Sequence, residues 1–133
     1  MAPVTARDCT ARAAQLRAMP GNVATALARD LPARVLEPLA AAVKAALTGP
    51  YARALAGTTR VVTGPPAVSV SGSAPIVSGG ASADLLAPAN EFGARATQFR
   101  RARPAVLPSL DRETPRILAT LEDITLTAME ATR

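Results

Sequence analysis

The chain has 133 residues and a net charge of +5, and much of its 49% hydrophobic fraction is alanine. Only 29 of the 133 residues are Leu, Ile, Val or Phe, just above the roughly 20% below which highly charged chains tend to be disordered. This length favours a single domain, residues 1–133, with a thin core. We therefore expect a subunit that gains burial by associating with further copies of itself.

Composition also excludes several kinds of chemistry. The chain has no histidine and one cysteine, Cys9, which excludes Ser-His and Cys-His catalysis, an internal disulfide and cysteine-based metal sites. Its most apolar stretch, residues 39–47, is too short to cross a bilayer, and charges occupy the N-terminus where a signal peptide is apolar. We expect a soluble protein made in the cytoplasm, with no catalytic residue, metal, cofactor or membrane contact.

Residues 1–49 form the predicted helical part, and a first helix is predicted over residues 5–19. Small apolar residues recur there at spacings of three and four, on one side of a helix: Ala6, Cys9, Ala13 and Leu16. Pro20 and Gly21 are expected to end this helix. Cys9 is expected to lie on the alanine-rich face as a small hydrophobe.

A second helix is predicted from a cap at Asn22 to Leu47. Its large apolar residues are four apart each time, and a four-residue step turns a helix about 40° too far. Such a stripe needs either a partner surface that wraps the helix or a break in the helix. Pro32 and Pro38 are the expected break points, so we predict two helical pieces that stop at Gly49-Pro50.

Residues 57–92 are predicted to form a small antiparallel sheet. Residues 58–63 are rich in β-branched side chains, and valine alternates with serine over residues 68–71. Ile76-Val77 predicts a third strand, and residues 85–92 predict a fourth, edge strand. We expect one valine face against the helices and one Ser/Thr face outward.

The last helix is assigned to residues 109–133. Thr114 is its expected cap, with Pro115 at the first helical position. One apolar face is expected from five residues: Ile117, Leu118, Leu121, Ile124 and Ala128. The opposite side is expected to be acidic through Glu122, Asp123 and Glu130. The predicted fold class is α+β, with N-terminal helices and a C-terminal helix packed on a small antiparallel sheet.

A basic loop is predicted over residues 93–108. It contains four arginines and no acid over its densest nine residues: Arg95, Arg100, Arg101 and Arg103. Three interpretations stay open, namely a solvated loop, docking onto acidic faces of neighbouring subunits, and contact with DNA phosphates. Only Phe99 is available nearby for base stacking, so single-strand binding is not favoured, and no module for reading DNA sequence is found.

A Glu91-Phe92-Gly93 triplet precedes this loop. Phe92 is expected to anchor the sheet to the helices, and Gly93 to supply a positive-φ turn or a close approach. For Glu91, solvent exposure and pairing with an arginine of the same or a neighbouring subunit both stay open. Downstream of the loop, Pro108 and Leu110 open the last helix.

The order of these motifs resembles the neck or tail-completion proteins of long-tailed, lambda-like bacteriophages. In that family an E-F-G triplet closes a strand, a Gln-Phe anchor follows a basic loop, and Pro-x-Leu opens the last helix. The matching residues are Glu91, Phe92, Gly93, Gln98, Phe99, Pro108 and Leu110. The short strands, the prolines of the second helix and a truncated loop before Phe99 depart from the family pattern.

The resemblance implies a structural virion protein of the head–tail junction, synthesised in the bacterial host cytoplasm. Its partners would be further copies in a closed ring, such as a hexamer, and other neck and tail proteins. DNA would pass through the lumen without sequence-specific binding. The related tail-terminator role stays open, and the alternative from another class is a small basic protein that binds nucleic acid non-specifically.

Overall fold

The computed structural model describes residues 6–93 and 101–132. Its helices and strands, in chain order, are α1 (Ala6–Leu31), a π-helical turn (Pro32–Leu36), α2 (Glu37–Ala46), α3 (Ala52–Gly57), β1 (Thr59–Thr63), β2 (Pro66–Val70), α4 (Ala83–Phe92) and α5 (Val106–Ala131). The predicted α+β fold is confirmed: N-terminal helices and a C-terminal helix accompany a small antiparallel sheet. Within the described ranges, no helix combines the length and the hydropathy needed to cross a membrane.

The first and last helices lie side by side and antiparallel. Asn22, expected as a helix cap, lies inside α1, and its Nδ2 donates to Thr132 Oγ1 over 3.1 Å. Towards the other end of α5, Ser109 Oγ donates to the carbonyl oxygen of Ala42 over 3.5 Å. The apolar contact between the two helices consists of Val23, Ala26, Leu27, Ile124 and Ala128. The hairpin and α3 pack mainly against α2 and the π-helical turn rather than against this pair.

Pro20 and Gly21 do not end α1, contrary to the prediction. A proline in a helix interior removes one hydrogen bond and costs about 3 kcal/mol, yet Pro20 lies on the exposed side of α1. Gly21 does not adopt a positive φ. Packing of Val23 and Leu27 against α5 begins directly afterwards and offsets the cost. Tertiary contact therefore overrides a local stop signal.

The chain does not break at Pro32 or Pro38, contrary to the prediction: it stays helical from α1 into α2, and the irregularity near these prolines is one π-helical turn. Pro32–Leu36 forms a single π-helical turn, in which the Glu37 N–H donates to the Pro32 carbonyl. Such a turn bonds residue i to residue i+5 and holds more residues than an α turn, so a four-residue step no longer overshoots. The hairpin and α5 both contact this turn, so a wrapping partner surface is present as well.

The first two predicted strands are confirmed, and they form a hairpin. β1 and β2 pair in antiparallel register through a turn at Gly64-Pro65, with Thr59 opposite Val70. Val70 packs into the core, whereas Val62 is exposed. The expected separation into a buried valine face and an outer Ser/Thr face is therefore incomplete.

The predicted third strand is wrong. Ile76 and Val77 lie in a tight loop that folds back on itself, because the Ile76 N–H donates to the Ala81 carbonyl over 2.9 Å. Pro75 and Ser82 form only an isolated bridge beside this bond. The loop still contributes apolar side chains to the core.

The predicted fourth strand is also wrong, since residues 85–92 belong to helix α4. Buried residues occur at Ala83, Leu86 and Asn90, a spacing of three and four that is typical of a helix face. Pro88 is compatible with an edge strand, but it lies inside the helix. The buried face outweighs the single hydrogen bond that proline removes.

The C-terminal helix starts at Val106, three residues before the predicted boundary and inside the predicted basic loop. Thr114, the expected cap, lies within α5 and its Oγ1 donates to the Leu110 carbonyl over 2.6 Å. Pro115 is likewise internal, and Leu118 is 61% exposed rather than packed. The acidic outer side is confirmed by three exposed residues: Glu122, Asp123 and Glu130.

The core is small, as the composition predicts. One cluster centres on Leu55, Ala83 and Leu86, and the other on the contact between α1 and α5. Cys9 is exposed, contrary to the prediction, because the first half of α1 extends beyond the end of α5. The buried face of α1 contains only alanine, at Ala26.

Candidate interaction site

Glu91 connects α4 to the start of α5. It is 8% exposed, and its Oε2 accepts hydrogen bonds from the N–H groups of Ala105 (2.7 Å) and Val106 (3.0 Å). Its Oε1 accepts a third from the Leu107 N–H over 2.9 Å. The first N–H groups of a helix have no partner within the helix, and a negative charge is favoured beside them. Glu91 therefore caps α5 from a neighbouring helix.

Asn90 makes a second link between the same two segments. The Arg103 N–H donates to the Asn90 carbonyl over 2.8 Å, and Asn90 Nδ2 donates back to the Arg103 carbonyl over 3.2 Å. Asn90 is almost fully buried, and its Oδ1 has no hydrogen-bond partner in the described part of the chain. These contacts hold the chain that leaves α4 against the chain that enters α5.

Gly49 completes this arrangement. Its φ is +103°, and a Cβ built there would lie 2.5 Å from Arg103 Nη1 and 3.4 Å from Asn90 Oδ1. Only glycine combines this backbone conformation with so close an approach. We call Gly49, Asn90, Glu91, Arg103 and Ala105 the α4–α5 junction.

The triplet differs from its prediction in two of its three residues. Gly93 has a φ of +82° at the end of α4, so its predicted positive-φ turn is confirmed. Phe92, expected as a core anchor, is 70% exposed. Glu91 takes the inward position instead, and its partners lie within its own chain, but they are backbone N–H groups rather than an arginine. The triplet therefore closes a helix here, whereas in the family it resembles it closes a strand.

The structure describes part of the arginine cluster. Arg101 is exposed, and Arg103 is half-buried against Gly49. Four residues singled out from the sequence lie outside the described residues: Arg95, Gln98, Phe99 and Arg100. The three interpretations of the cluster thus stay predictions, with Arg103 drawn into the junction.

Pro108 and Leu110 lie in the first turns of α5. Pro108 is half-buried, and Leu110 is 42% exposed, so Leu110 does not serve as a packing residue within the chain. Because Glu91 bonds the N–H groups of Ala105 to Leu107, it reaches the backbone immediately before Pro108.

An apolar groove of about 330 Å³ lies between β2, α4 and the start of α5. Val68 and Val70 line one side, and Phe92 and Leu107 line the other. The latter two are 70% and 50% exposed. Clustered exposed apolar side chains are typical of protein–protein contact surfaces.

Residues 6–17, which we call the α1 arm, are a second exposed feature. Ten of these twelve residues are exposed, and Leu16 is 65% exposed. Little burial supports the arm, and its composition favours a helix because alanine, arginine, glutamine and leucine are all good helix formers. The buried contact with α5 begins beyond it, around Val23, and the last turn of the arm reaches only the end of α5, where Arg12, Gln15 and Leu16 line a shallow cavity with Thr132.

Ion pairs of α1 and the π turn are confined to the surface. Arg34 Nη2 lies 2.8 Å from Asp123 Oδ2. Arg29 forms two hydrogen bonds to Asp30, at 2.9 and 3.2 Å. The hydrogen bond from Arg29 is the main reason that the pKa of the Asp30 carboxyl lies below its ordinary value. Exposed pairs of this kind contribute little to stability.

Over the described residues, no group of three or more His, Cys, Asp or Glu side chains could hold a metal ion. Glu91 is the buried acid of the described chain, and backbone N–H groups engage both of its oxygens. Comparison with protein-family models, curated proteins and solved structures gives no match to this chain.

Proposed function

We propose that this chain is a structural virion protein of the phage head–tail junction, a neck or tail-completion subunit that assembles into a ring around the DNA channel. The observation that carries the proposal is the set of three hydrogen bonds that the Glu91 carboxylate accepts from the start of α5. It joins the triplet and the Pro-x-Leu element, the two ends of the motif on which the resemblance rests. This gives a physical reason for the order and spacing of the motif, because the Glu91 carboxylate must reach the backbone N–H groups directly before Pro108.

The proposed role is assembly without catalysis. It is supported by the exposed apolar groove beside Phe92 and by the exposed α1 arm, which both leave apolar surface for neighbouring subunits. It is also supported by the state of Glu91, whose oxygens are committed to the backbone. Tail terminator is the closest related role, and it would use the same surfaces.

Electron microscopy and sedimentation of the purified chain between about 1 and 100 μM test this proposal, a range in which weak interfaces associate. We expect closed rings, or binding to phage tails that lack their completion protein. Phe92→Ser should weaken assembly, whereas Leu85→Ser, which removes an equally exposed side chain outside the groove, should not. A chain that stays monomeric throughout and does not bind tails would overturn the proposal.

Non-specific nucleic-acid binding is the second candidate, favoured by the net charge of +5 and the exposed Arg101. Each phosphate contact steepens the fall of affinity with salt, by about 0.9 in the logarithmic slope. This candidate would be favoured by a monomer that binds duplex DNA at low salt and whose affinity falls with salt as steeply as several phosphate contacts require. Assembly into rings, without this salt-dependent DNA binding, would favour the protein of the phage head–tail junction.

A further inference from the structure

We propose that the α1 arm of one copy binds the outer face of α5 of a second copy. We define the α5 outer face by Leu118, Glu122, Leu126 and Met129. This inference rests on the proposed function, because it takes the chain to assemble with itself. It goes further by specifying which two surfaces of neighbouring copies are in contact.

The α1 arm supplies a narrow apolar stripe. Ala6, Cys9, Ala13 and Leu16 lie on one side of about 18 Å of helix. Arg12 and Arg17 lie on either side of this stripe, since on a helical wheel at about 100° per residue Arg12 is about 40° from Leu16 at one edge and Arg17 is about 20° from Ala6 at the other. Neither arginine has an ion-pair partner in the ranges that the structure describes.

The α5 outer face supplies a matching surface. Leu118, Leu126 and Met129 are 61%, 50% and 36% exposed. Glu122 is four residues from each of the two leucines, so it lies between them on the helix surface. Residues 118–131 contain three acids and no basic residue. Glu122 makes no ion pair with any described residue.

Charge complementarity selects the occupant. The α1 arm contains three arginines and one aspartate, so it has a charge of +2, whereas residues 118–131 have a charge of −3. When the apolar stripe of the α1 arm packs on the apolar residues of the α5 outer face, Arg12 and Arg17 of one copy come within reach of Glu122 and Glu130 of the next. Small side chains on the arm let the two helices approach closely, because interaxial distance follows side-chain size.

The arm cannot bind the outer face of its own α5. Within one chain, α1 already packs on the opposite side of α5 through Ile124 and Ala128, and the arm extends past the end of that helix. The contact is therefore between copies. It joins two different surfaces, and a contact of that kind produces closed rings or open filaments.

One such contact is smaller than the roughly 1,600 Å² of a standard protein interface. We therefore expect weak pairwise association that ring closure reinforces, since each subunit gives one arm and receives another. The effective concentration within a closed ring raises the overall stability without new contacts.

Two double variants test the inference. Arg12→Glu/Arg17→Glu makes the arm acidic, and Glu122→Arg/Glu130→Arg makes the outer face basic. Each should raise the dissociation constant of self-association by about tenfold or more, because like charges at an interface cost several kcal/mol. An equimolar mixture should assemble again, with the two variants alternating. Sedimentation velocity measures all three samples.

Arg7→Glu is the matched control, since Arg7 lies on the side of the arm away from the stripe, and it should assemble as the unmodified chain does. All substituted residues are exposed, so thermal melts should agree between the variants. Variants that assemble normally, or a mixture that stays dissociated, would overturn the inference while the proposed function stands. A parent chain that never assembles would overturn both.

Discussion

The α4–α5 junction and the α1 arm show how differently one alanine-rich chain can use its residues. At the junction a carboxylate, an amide and a glycine hold two chain segments together, and Ala105 is fully buried. In the arm, a helix of similar composition makes hardly any tertiary contact. The junction is complete within one subunit, whereas the arm leaves its apolar side open to a neighbour.

This difference shows which interactions give the chain a specific tertiary structure. Alanine and arginine favour a helix anywhere, so helicity alone does not separate the two regions. What separates them is a set of backbone N–H groups and a glycine conformation that only one arrangement satisfies. Substitutions should therefore be costly at the junction and nearly silent in the arm of an isolated subunit.

The largest effect is expected from Glu91→Ala. It leaves three N–H groups without their charged acceptor, and two of them can turn to water because Val106 and Leu107 are not fully buried. We expect a loss of about 2–4 kcal/mol in the free energy of unfolding, measured by urea denaturation. Asp111→Asn, an exposed acid in the same helix, is the control and should change stability by less than about 0.5 kcal/mol. Equal losses in both variants would mean that Glu91 is no cap.

Gly49→Ala should have the next largest effect. A methyl group there meets the Arg103 side chain, and a φ of +103° is strained for any other residue. We expect a loss of about 1–3 kcal/mol, measured by thermal unfolding. Gly21→Ala in the helical interior of α1 is the matched substitution, and we expect it to stabilise the chain by up to about 1 kcal/mol. The comparison of the two regions fails if both variants shift stability in the same direction.

Leu16→Ala should change the stability of a dilute, monomeric chain by less than about 0.5 kcal/mol. The side chain is 65% exposed, so little apolar burial is lost. Urea denaturation below the concentration of self-association measures this. A loss above about 1 kcal/mol would show that the α1 arm packs within its own subunit.

The smallest effect is expected from Asp30→Asn, which removes the surface pair with Arg29. A carboxyl whose pKa is lowered in the folded chain stabilises it above the unfolded pKa, and this contribution disappears as the pH falls through the folded pKa. We therefore expect a melting temperature equal to that of the parent within error at low pH, and at most barely lower at neutral pH. A clearly lower melting temperature of this variant at neutral pH would show that the pair contributes more to stability than we expect.

Local sequence predicted the hairpin, an irregularity near Pro32 and the last helix, because β-branched runs, prolines and apolar spacing act over a few residues. It failed where distant contacts decide. Pro20 does not stop α1, because α5 supports the helix beyond it. Residues 83–92 show a helix face at Ala83, Leu86 and Asn90 that the presence of Pro88 concealed.

The role of Glu91 depends on a contact between segments 14 residues apart, which no local pattern contains. One signal was available in retrospect. The start of α5 follows Arg103, Pro104 and Ala105, none of which is a good helix cap, so an acceptor from elsewhere was needed. Phe92 is one of three aromatic residues in this chain and is still 70% exposed, so being aromatic does not by itself determine burial.

The hydrogen bonds between Asn90 and Arg103 have a practical implication for engineering. They tie the end of α4 to the residues that enter α5, so these two segments are held by contacts of their own. Lengthening a closed loop costs only about 0.6 kcal/mol per doubling. A peptide tag or reporter inserted between these two fastened points should leave the scaffold intact, which makes this position a natural handle for following the molecule.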